Sequence, residues 1–469
     1  MPEPARIDDR ALARRVAQEF SSGEVIGLGP GLPTLIPGEM PPAPGVMFLA
    51  DSGALGYCLP GASPGSGPVD SGGREVALLA GGAVLSMGDV AAMVRGGRVG
   101  AAVLQPAQVT AGGDFTHWTA GATPGLFSPA SAVDWASGAD RVIAMLSHTG
   151  PDGSPNIVDR LSFPADGIGC VETIVTDVAV IRVTRDGLVL AELAPGWTVD
   201  AVAAITGAPL SASLGLREMS FDVPRLEPPN KVYTAQEAVR DVPDGAVVNI
   251  DGFAGPGGMA HYLLLALKDH GAKDLTMISN TAGVARVVNF GTPPGRLAID
   301  QSILVDNKQL KKAISSFPVS PRASAPSSFE LAFQRGEVEL EVVPQGTLAE
   351  RLRAGGAGVA AFYTPTAAGT LLAEGKETRV IDGKEYVLET GLTADFCLIR
   401  GHKADTLGNV VYRGTSRNFN SVMATASRVT VMEVDEIVEP GVLSPEEIVT
   451  PSIYVDRIVK RPTGFSPYE

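Results

Sequence analysis

Short apolar runs recur along the whole chain, each about the length of one buried strand. In the first half they read VIGLG from Val25, VMFLA from Val46, VALLA from Val76, AAVLQ from Ala101, RVIAML from Arg141 and VAVIRVT from Val178. The second half repeats the habit with AVVNIDG from Ala246, DLTMISN from Asp274, LEVV from Leu340, VAAFY from Val359, DFCLI from Asp395 and VTVMEV from Val429. Near-continuous apolar runs, rather than strict in–out alternation, belong to strands covered on both faces. Helical stretches and glycine-rich turns separate them, so the pattern predicts an α/β fold of parallel or mixed sheets covered by helices. The 55 glycines and 36 prolines fit many tight turns.

One stretch breaks the rhythm. EMSFDVPRLEPPN, Glu218 to Asn230, has proline and acidic stops and no sustained apolar period, which predicts an exposed linker. The expected organisation is therefore a domain over 1–217, a linker over 218–230 and a domain over 231–469. The two domains read as versions of one plan. Ser22–Thr34 and Asp244–Met259 each give a turn, a buried strand, a glycine-rich loop and a helix start. VGAAVLQPAQVTAGGDFTHW and ADFCLIRGHKADTLGNVVYR each give a strand, a polar excursion, a glycine turn and another strand. An internal duplication follows, and with it the expectation of a site where the two halves meet.

Composition removes several function classes. A formal charge of −15 argues against general nucleic-acid binding, which needs a basic surface. Cys58, Cys170 and Cys397 are widely spaced with no CxxC pair, and the five histidines show no HExxH spacing. Neither a disulfide framework nor a metal site is signalled, and the cysteines read as buried thiols in a reducing compartment. The N-terminal MPEPARIDDRALARR lacks the apolar core of a signal peptide, and no apolar run reaches membrane-spanning length. The expected location is the cytoplasm.

Three glycine-rich loops are the loudest local signals: GLGPGLPT with Gly29 and Gly31, GFAGPGG with Gly255 and Gly257, and RAGGAGVAAFYTP with Gly356 and Gly358. Such loops after strands aim backbone amides at an anion, or simply make a tight turn; none closes with the GK[ST] of a P-loop. Asp51 follows a buried run and precedes Ser52 and Gly53, which puts a carboxylate at the carboxyl end of a strand, where open α/β sheets hold ligands. The competing reading is an aspartate capping its own turn. Asn280 and Gln345 are amides at similar strand ends, able to bind a carboxylate or carbonyl or to tie loops together. Arg74 could pair a substrate carboxylate or be a solvated charge. Lys308, Lys311 and Lys312 form a compact basic cluster that reads as a solvated helix face, though an anionic ligand could use it.

These loops and strand ends, in this order, resemble the family I CoA-transferases. NKVYTAQEAV, DLTMISNTAGV, VPQGTLAERLRAGGAGVAAFYTPT and KADTLGNVVYRGTSRNFN are similar to the family's α subunit. LGPGLPTLIP, HTGPDGSPNIV, GCVETIVTDVAV and GLVLAELAPGWTV are similar to its β subunit, so the chain reads as β-like and α-like halves fused in that order. The resemblance implies ping-pong transfer of coenzyme A between an acyl-CoA and a small carboxylic acid, with coenzyme A as a substrate, no permanently bound cofactor and a homodimeric assembly. In the family a glutamate in a Ser-Glu-Asn-Gly loop attacks the thioester. Here Ala50, Asp51, Ser52 and Gly53 occupy that loop, so the implied nucleophile is one carbon shorter, withdrawn by about 1.5 Å. A misplacement of that size costs on the order of a hundredfold where the site does not adjust. The family's Met-Gly-Gly-Ala-Met oxyanion loop corresponds to SPASAV around Ser131, without glycine, and loss of one such donor costs roughly a hundred- to a thousandfold. Arg74 stands for the family's lysine, Asn280 and Thr281 for its paired asparagines, and Gln345 for its glutamine. FPVSPRASAPSSF from Phe317 replaces the family's Tyr-Val-Gly-Glu-Asn, which implies an acyl group other than the usual small keto acid.

Three functions remain open at this level. The first is CoA transfer with Asp51 as nucleophile. The second is hydrolysis of an acyl-CoA or of a carbon–carbon bond, with Asp51 as general base for a water that fits beside the shorter side chain. The third is acyl-CoA binding without turnover.

Overall fold

The computed structural model describes residues 4–42, 45–59, 67–118, 131–251, 258–288 and 293–468. The chain forms two compact units, Met1–Pro229 and Asn230–Glu469. Among the described residues of the first, thirteen strands follow in chain order: β1 Val25–Leu28, β2 Met47–Leu49, β3 Ala54–Cys58, β4 Ala77–Val84, β5 Ala101–Leu104, β6 Gln108–Thr110, β7 Phe115–Thr116, β8 Val142–Leu146, β9 Ile157–Val158, β10 Val171–Thr176, β11 Ala179–Thr184, β12 Gly187–Leu193 and β13 Leu210–Glu218. Ten of them make one mixed sheet in the order β13-β12-β11-β10-β8-β5-β1-β2-β3-β4. Its centre, β10-β8-β5-β1-β2, is parallel. The centre is the part whose residues are buried on both faces, as in β1, β2, β5 and β8, and this is why these segments read as unbroken apolar runs.

The second unit continues with β14 Val247–Ile250, β15 Leu275–Thr281, β16 Leu310–Phe317, β17 Glu339–Val342, β18 Ala361–Thr364, β19 Thr378–Ile381, β20 Lys384–Thr390, β21 Ala394–Arg400, β22 Lys403–Asp405, β23 Val410–Val411, β24 Ser427–Val434, β25 Glu436–Val438 and β26 Arg457–Lys460. Seven form an all-parallel sheet ordered β17-β16-β15-β14-β21-β24-β26. Leu263, Leu264 and Leu267 of the helix His261–His270 pack with Val248, Ile250 and Met277 in its core. That helix starts where Glu433, at the end of β24, accepts the N–H groups of Tyr262 (2.9 Å) and Leu263 (3.2 Å). Burial lifts the Glu433 carboxyl to about 7 against these bonds and the charges of Arg400 and Arg461.

The same connectivity recurs in both units. A parallel strand is flanked by its successor and by the strand after a crossover, β2-β1-β5 in one unit and β15-β14-β21 in the other. Each crossover strand then leads into a three-stranded sheet, β7-β6-β9 or β23-β22-β25, with one antiparallel and one parallel pairing. This is the repeated strand, excursion and turn read in the sequence.

Two expectations change. The lysine cluster is not a helix face: Lys308 sits in a left-handed turn (φ 56°), and Lys311 and Lys312 lie in β16, where Lys312 pairs with Glu341 at 2.7 Å. Burial of Ala313, Ile314 and Ser315 fixes β16 as a strand, overriding its two lysines. The stretch expected as an exposed linker lies along the first unit. Met219 is buried, Gln18 donates to the Ser220 carbonyl at 2.7 Å, Ser22 donates to that of Glu227, and the Leu226 carbonyl packs so closely on Gly45 that a Cβ there would lie 1.8 Å from it.

The helix Asp9–Ala17 is locked to the sheet by Arg15, which donates to Glu19 (2.8 Å) and to both oxygens of Glu192 on β12. Arg182 and Arg217 complete the network. Burial acts to raise the Glu19 carboxyl, but its bonds and charges from Arg182 and Arg15 outweigh this and hold it below its ordinary value. Glu192 is lowered in the same way by Arg15 and Arg217. A lowered carboxyl in the folded state contributes stability that is present above its unfolded pKa and is lost as the pH falls toward the folded one. Arg15→Met is expected to lower the unfolding free energy by about 2–3 kcal/mol, because it removes charge-assisted bonds to both carboxylates and leaves Glu19 to Arg182 and Glu192 to Arg217. Urea titrations followed by circular dichroism from pH 7 down to 3 should show the native chain losing stability below about pH 5 and the variant losing less of it.

Candidate active site

Because β1 and β2 run parallel, their carboxyl ends share one edge of the sheet. β2 turns back antiparallel into β3 with Leu49 opposite Leu55, so residues Ala50–Gly53 form the hairpin tip at that edge. Ala50 donates to the Ala54 carbonyl and Gly53 to that of Ala50. Gly53 has φ 103°, and a Cβ there would lie 2.0 Å from the Leu85 carbonyl oxygen, so the tip requires glycine. This is a turn role. No ligand needs to be invoked for it.

Asp51 is half-buried at this tip and its carboxylate is not used by its own loop. Its backbone N–H donates to Ser71 Oγ (3.2 Å), and that hydroxyl donates to the Leu28 carbonyl at the end of β1 (2.6 Å). Its Oδ2 accepts from Ser131 Oγ at 2.8 Å. Among the described residues Oδ1 has no hydrogen-bond partner. The turn-capping habit belongs instead to Asp70, whose buried carboxylate accepts from the N–H groups of Gly72 and Arg74 at 2.9 Å each.

Arg74 departs from the expectation of a substrate clamp. Its Nε donates to Asp70 Oδ2 (3.1 Å) and its Nη2 to the Thr34 carbonyl, so the guanidinium fastens the Asp70 loop to the loop after β1. That second loop departs as well. Gly29 N–H donates to Val103, Leu32 N–H to Gln105 Oε1 and Thr34 N–H to Gly31, while Pro30 and Pro33 have no N–H to offer. Gly31 has φ 88° and packs on Gln105. Gly29 and Gly31 shape a tight turn in which the amides of Gly29, Leu32 and Thr34 are engaged within the protein.

In the second unit the register of β15 and β16 pairs Ser279 with Ser315 and Thr281 with Phe317, which sets Asn280 beside Ser316 on one face. The helix Gln345–Gly356 covers that face: its Arg351 donates to Glu341 of β17, which pairs with Ile314. Thr347 lies one turn before Arg351 on the same side of the helix. Asn280 is fully buried, and neither its Oδ1 nor its Nδ2 has a partner among the described residues; the same holds for Ser316 Oγ and Thr347 Oγ1. Buried polar atoms without partners are uncommon because each costs about 1–3 kcal/mol, and here three residues share the condition. Gln345 is half-buried at the first turn of the same helix. Thr281 faces the other side of the sheet, as successive strand residues must, so the Asn280 amide and the Thr281 hydroxyl lie on opposite faces. Ser71, Ser316 and Thr347 carried no signal in the sequence, although strand alternation would have pointed from Asn280 to Ser316.

The third glycine-rich segment is also corrected. Gly356 ends the helix Gln345–Gly356, where a Cβ would lie 2.5 Å from Thr425 Oγ1, and Gly358 makes the left-handed turn after it (φ 67°). A helix C-terminus presents carbonyls, so neither glycine aims amides at an anion. Gly255 and Gly257 lie outside the described residues. No group of three or more His, Cys, Asp or Glu side chains among the described residues could hold a metal ion, and no helix there is long and apolar enough to cross a membrane.

Residues 10–204 and 232–461 match the family model described as coenzyme A transferase. Over 226 residues the chain is 44% identical to one subunit of the probable succinyl-CoA:3-ketoacid coenzyme A transferase of Bacillus subtilis, a match covering 48% of this chain and 87% of that one. It is 45% identical over 231 residues to one subunit of the 3-oxoadipate CoA-transferase of Pseudomonas putida, covering 49% of this chain and 93% of that one. It is also 42% identical over 244 residues to the mitochondrial succinyl-CoA:3-ketoacid coenzyme A transferase 2A of Mus musculus, covering 48% of this chain and 44% of that one. With the family model spanning both units and a carboxylate presented at the sheet edge of the first, the chain belongs to the coenzyme A transferase family.

Proposed function

We propose that this enzyme moves coenzyme A from an acyl-CoA to a carboxylic acid through the Asp51 carboxylate. The observation that carries the reading is the Asp51 side chain, held through Oδ2 by Ser131 while Oδ1 has no partner among the described residues. Oδ1 attacks the thioester carbonyl, the C–S bond breaks, and coenzyme A leaves as a thiolate, giving a mixed anhydride with Asp51. The thiolate then attacks the Asp51 carbonyl carbon, the acyl group departs as its carboxylate, and an enzyme–CoA thioester remains. A second carboxylate reverses the two steps. The general-base hydrolase reading draws no support from relatives named as CoA-transferases.

The acid is proposed to use the uncharged donors and acceptors of Asn280, Ser316 and Thr347, with Gln345 at the rim of the same helix, since these satisfy a carboxylate or carbonyl without a cation. Acyl-CoA and a small carboxylic acid are thus the substrates, and coenzyme A is bound only as a substrate. A homodimer is proposed from the resemblance, and a cytoplasmic location from the free thiols of Cys58, Cys170 and Cys397. Light scattering should return twice the mass of one chain; a monomer would refute the assembly.

The test of the chemistry is exchange between acyl-CoA thioesters (acetyl, succinyl and 3-oxoacyl) and a panel of free acids, with hydroxylamine trapping followed by peptide mass analysis. Asp51→Asn is expected to reduce exchange on the order of a thousandfold or more and to remove the trapped label from the peptide containing residue 51. Labelling that survives the substitution sinks the reading. Asn280→Leu is expected to raise the KM of the acid about tenfold, equivalent to about 1.4 kcal/mol. The same change should raise the melting temperature, because it removes an unsatisfied buried amide. A lower melting temperature with unchanged KM would make Asn280 a structural residue only.

A further inference from the structure

The basic cluster that the sequence offers to an anion is largely spent within the protein: Lys308 pairs with Glu337 at 2.6 Å and Lys312 with Glu341 at 2.7 Å. Cations without carboxylate partners stand on the three-stranded antiparallel sheet β18-β20-β19 of the second unit. Along β20 the residues alternate. Val387 and Glu389 are buried against the protein, whereas Lys384, Tyr386 and Leu388 point the other way. Residues directly opposite one another share a face, so the register Tyr363↔Leu388, Arg379↔Tyr386 and Ile381↔Lys384 gathers Tyr363, Arg379, Lys384 and Tyr386 on the open side.

That face repeats one construction. The Arg379 guanidinium lies over the Tyr363 ring, 5.9 Å from its centroid, and the Lys384 ammonium lies over the Tyr386 ring, also at 5.9 Å. Both cations belong to exposed residues, and among the described residues neither has a carboxylate partner. Glu377, which shares the face, is engaged by the Tyr363 hydroxyl. A cation resting on an aromatic ring keeps its outward N–H groups for a ligand. The ring also restricts the side chain, which reduces the freedom that binding would otherwise have to freeze.

A planar guanidinium stacks on flat ligand rings, and an ammonium pairs with phosphate as a point charge. The face therefore suits a ligand that is both phosphorylated and planar. On a chain with a formal charge of −15 such a polyanion is repelled by the average surface and needs a local positive site. A coenzyme A transferase meets one such ligand, since coenzyme A carries a phosphorylated adenosine at the end opposite its thiol. We infer that the open face of β18-β20-β19 binds this phosphorylated adenosine, with the base stacked on Arg379 and the phosphates paired with Lys384. The inference rests on coenzyme A being a substrate and is independent of the role of Asp51.

The test is isothermal titration calorimetry of the full chain with coenzyme A and, separately, with adenosine 3′,5′-bisphosphate. Both are expected to bind, more weakly as salt is raised. Arg379→Ala combined with Lys384→Ala is expected to weaken both about thirtyfold, to flatten the salt dependence, and to raise the KM of the acyl-CoA in parallel while the KM of the acid stays within about twofold. Arg379→Lys, which keeps the charge and loses the plane, is expected to cost about fivefold. Lys308→Ala, at the cation paired with Glu337, serves as the control and should stay within about twofold of the native chain. Unchanged circular dichroism and melting temperature are expected throughout, because the side chains are exposed. Coenzyme A binding that the double substitution leaves intact overturns the inference, as does an equal loss in Lys308→Ala or a native chain that binds no coenzyme A. A loss confined to the bisphosphate assigns the face to a free nucleotide and overturns it as well. Coenzyme A held through this face without exchange across the acid panel supports the inference and sinks the Asp51 reading alone.

Discussion

A carboxylate can serve as a nucleophile on a folded protein only if something other than its own turn holds it. Asp51 and Asp70 show the difference within one unit. Both are followed by serine and glycine, and the one at 70 accepts two N–H groups from its own loop. At 51 the corresponding loop bonds are made by Ala50, Gly53 and Ala54 backbone groups, and the side chain is left to Ser131. The hydrogen bond from Ser131 joins a hairpin tip to a helix start 80 residues away, and the functional reading of the first unit depends on it. It exists because Trp135 needs the space left by Gly27, which seats the helix against the strand next to the one that carries Asp51.

The second unit presents the opposite kind of polar site. Its atoms are neutral, buried and unmatched: Asn280, Ser316 and Thr347 together leave four side-chain atoms without partners among the described residues. A core under pressure only to be stable would replace them with apolar groups. Asn280 and Ser316 near the carboxyl ends of parallel strands, with Thr347 on the covering helix, fit groups held ready for a ligand's oxygens, and the absence of charge avoids the larger desolvation term that a buried cation would carry. The glycine-rich loops, by contrast, are explained by packing and turn geometry: Gly31 by Gln105, Gly53 by the Leu85 carbonyl and Gly356 by Thr425.

The fold was largely legible because burial on both faces writes itself as apolar runs. All of VIGLG, VMFLA, AAVLQ and RVIAML fall in central parallel strands. Strands with weaker apolar signal were less visible. β16 carries two lysines after its first residue and two serines before its last, β13 is mostly exposed, and the hairpin β19–β20 has one strand exposed along its whole length. The stretch 218–230 read as a linker because prolines and charges dominate residues 219–229. They lie on the first unit because single contacts, such as the Leu226 carbonyl on Gly45, need no periodicity.

By itself the sequence determined the α/β class, the duplicated plan and the position of Asp51 at a strand end, all consequences of local apolar period and of where a run stops. It also located Asn280 and Gln345 without saying what surrounds them. Tertiary structure decided which polar groups are engaged and which are left open: that Arg74 faces Asp70 and Thr34, that Ser131 faces Asp51, and that Ser316 and Thr347 share a face with Asn280. Those outcomes depend on strand register and on helices packing over distant residues, and a hydrogen bond between positions 51 and 131 has no signature in the spacing of either.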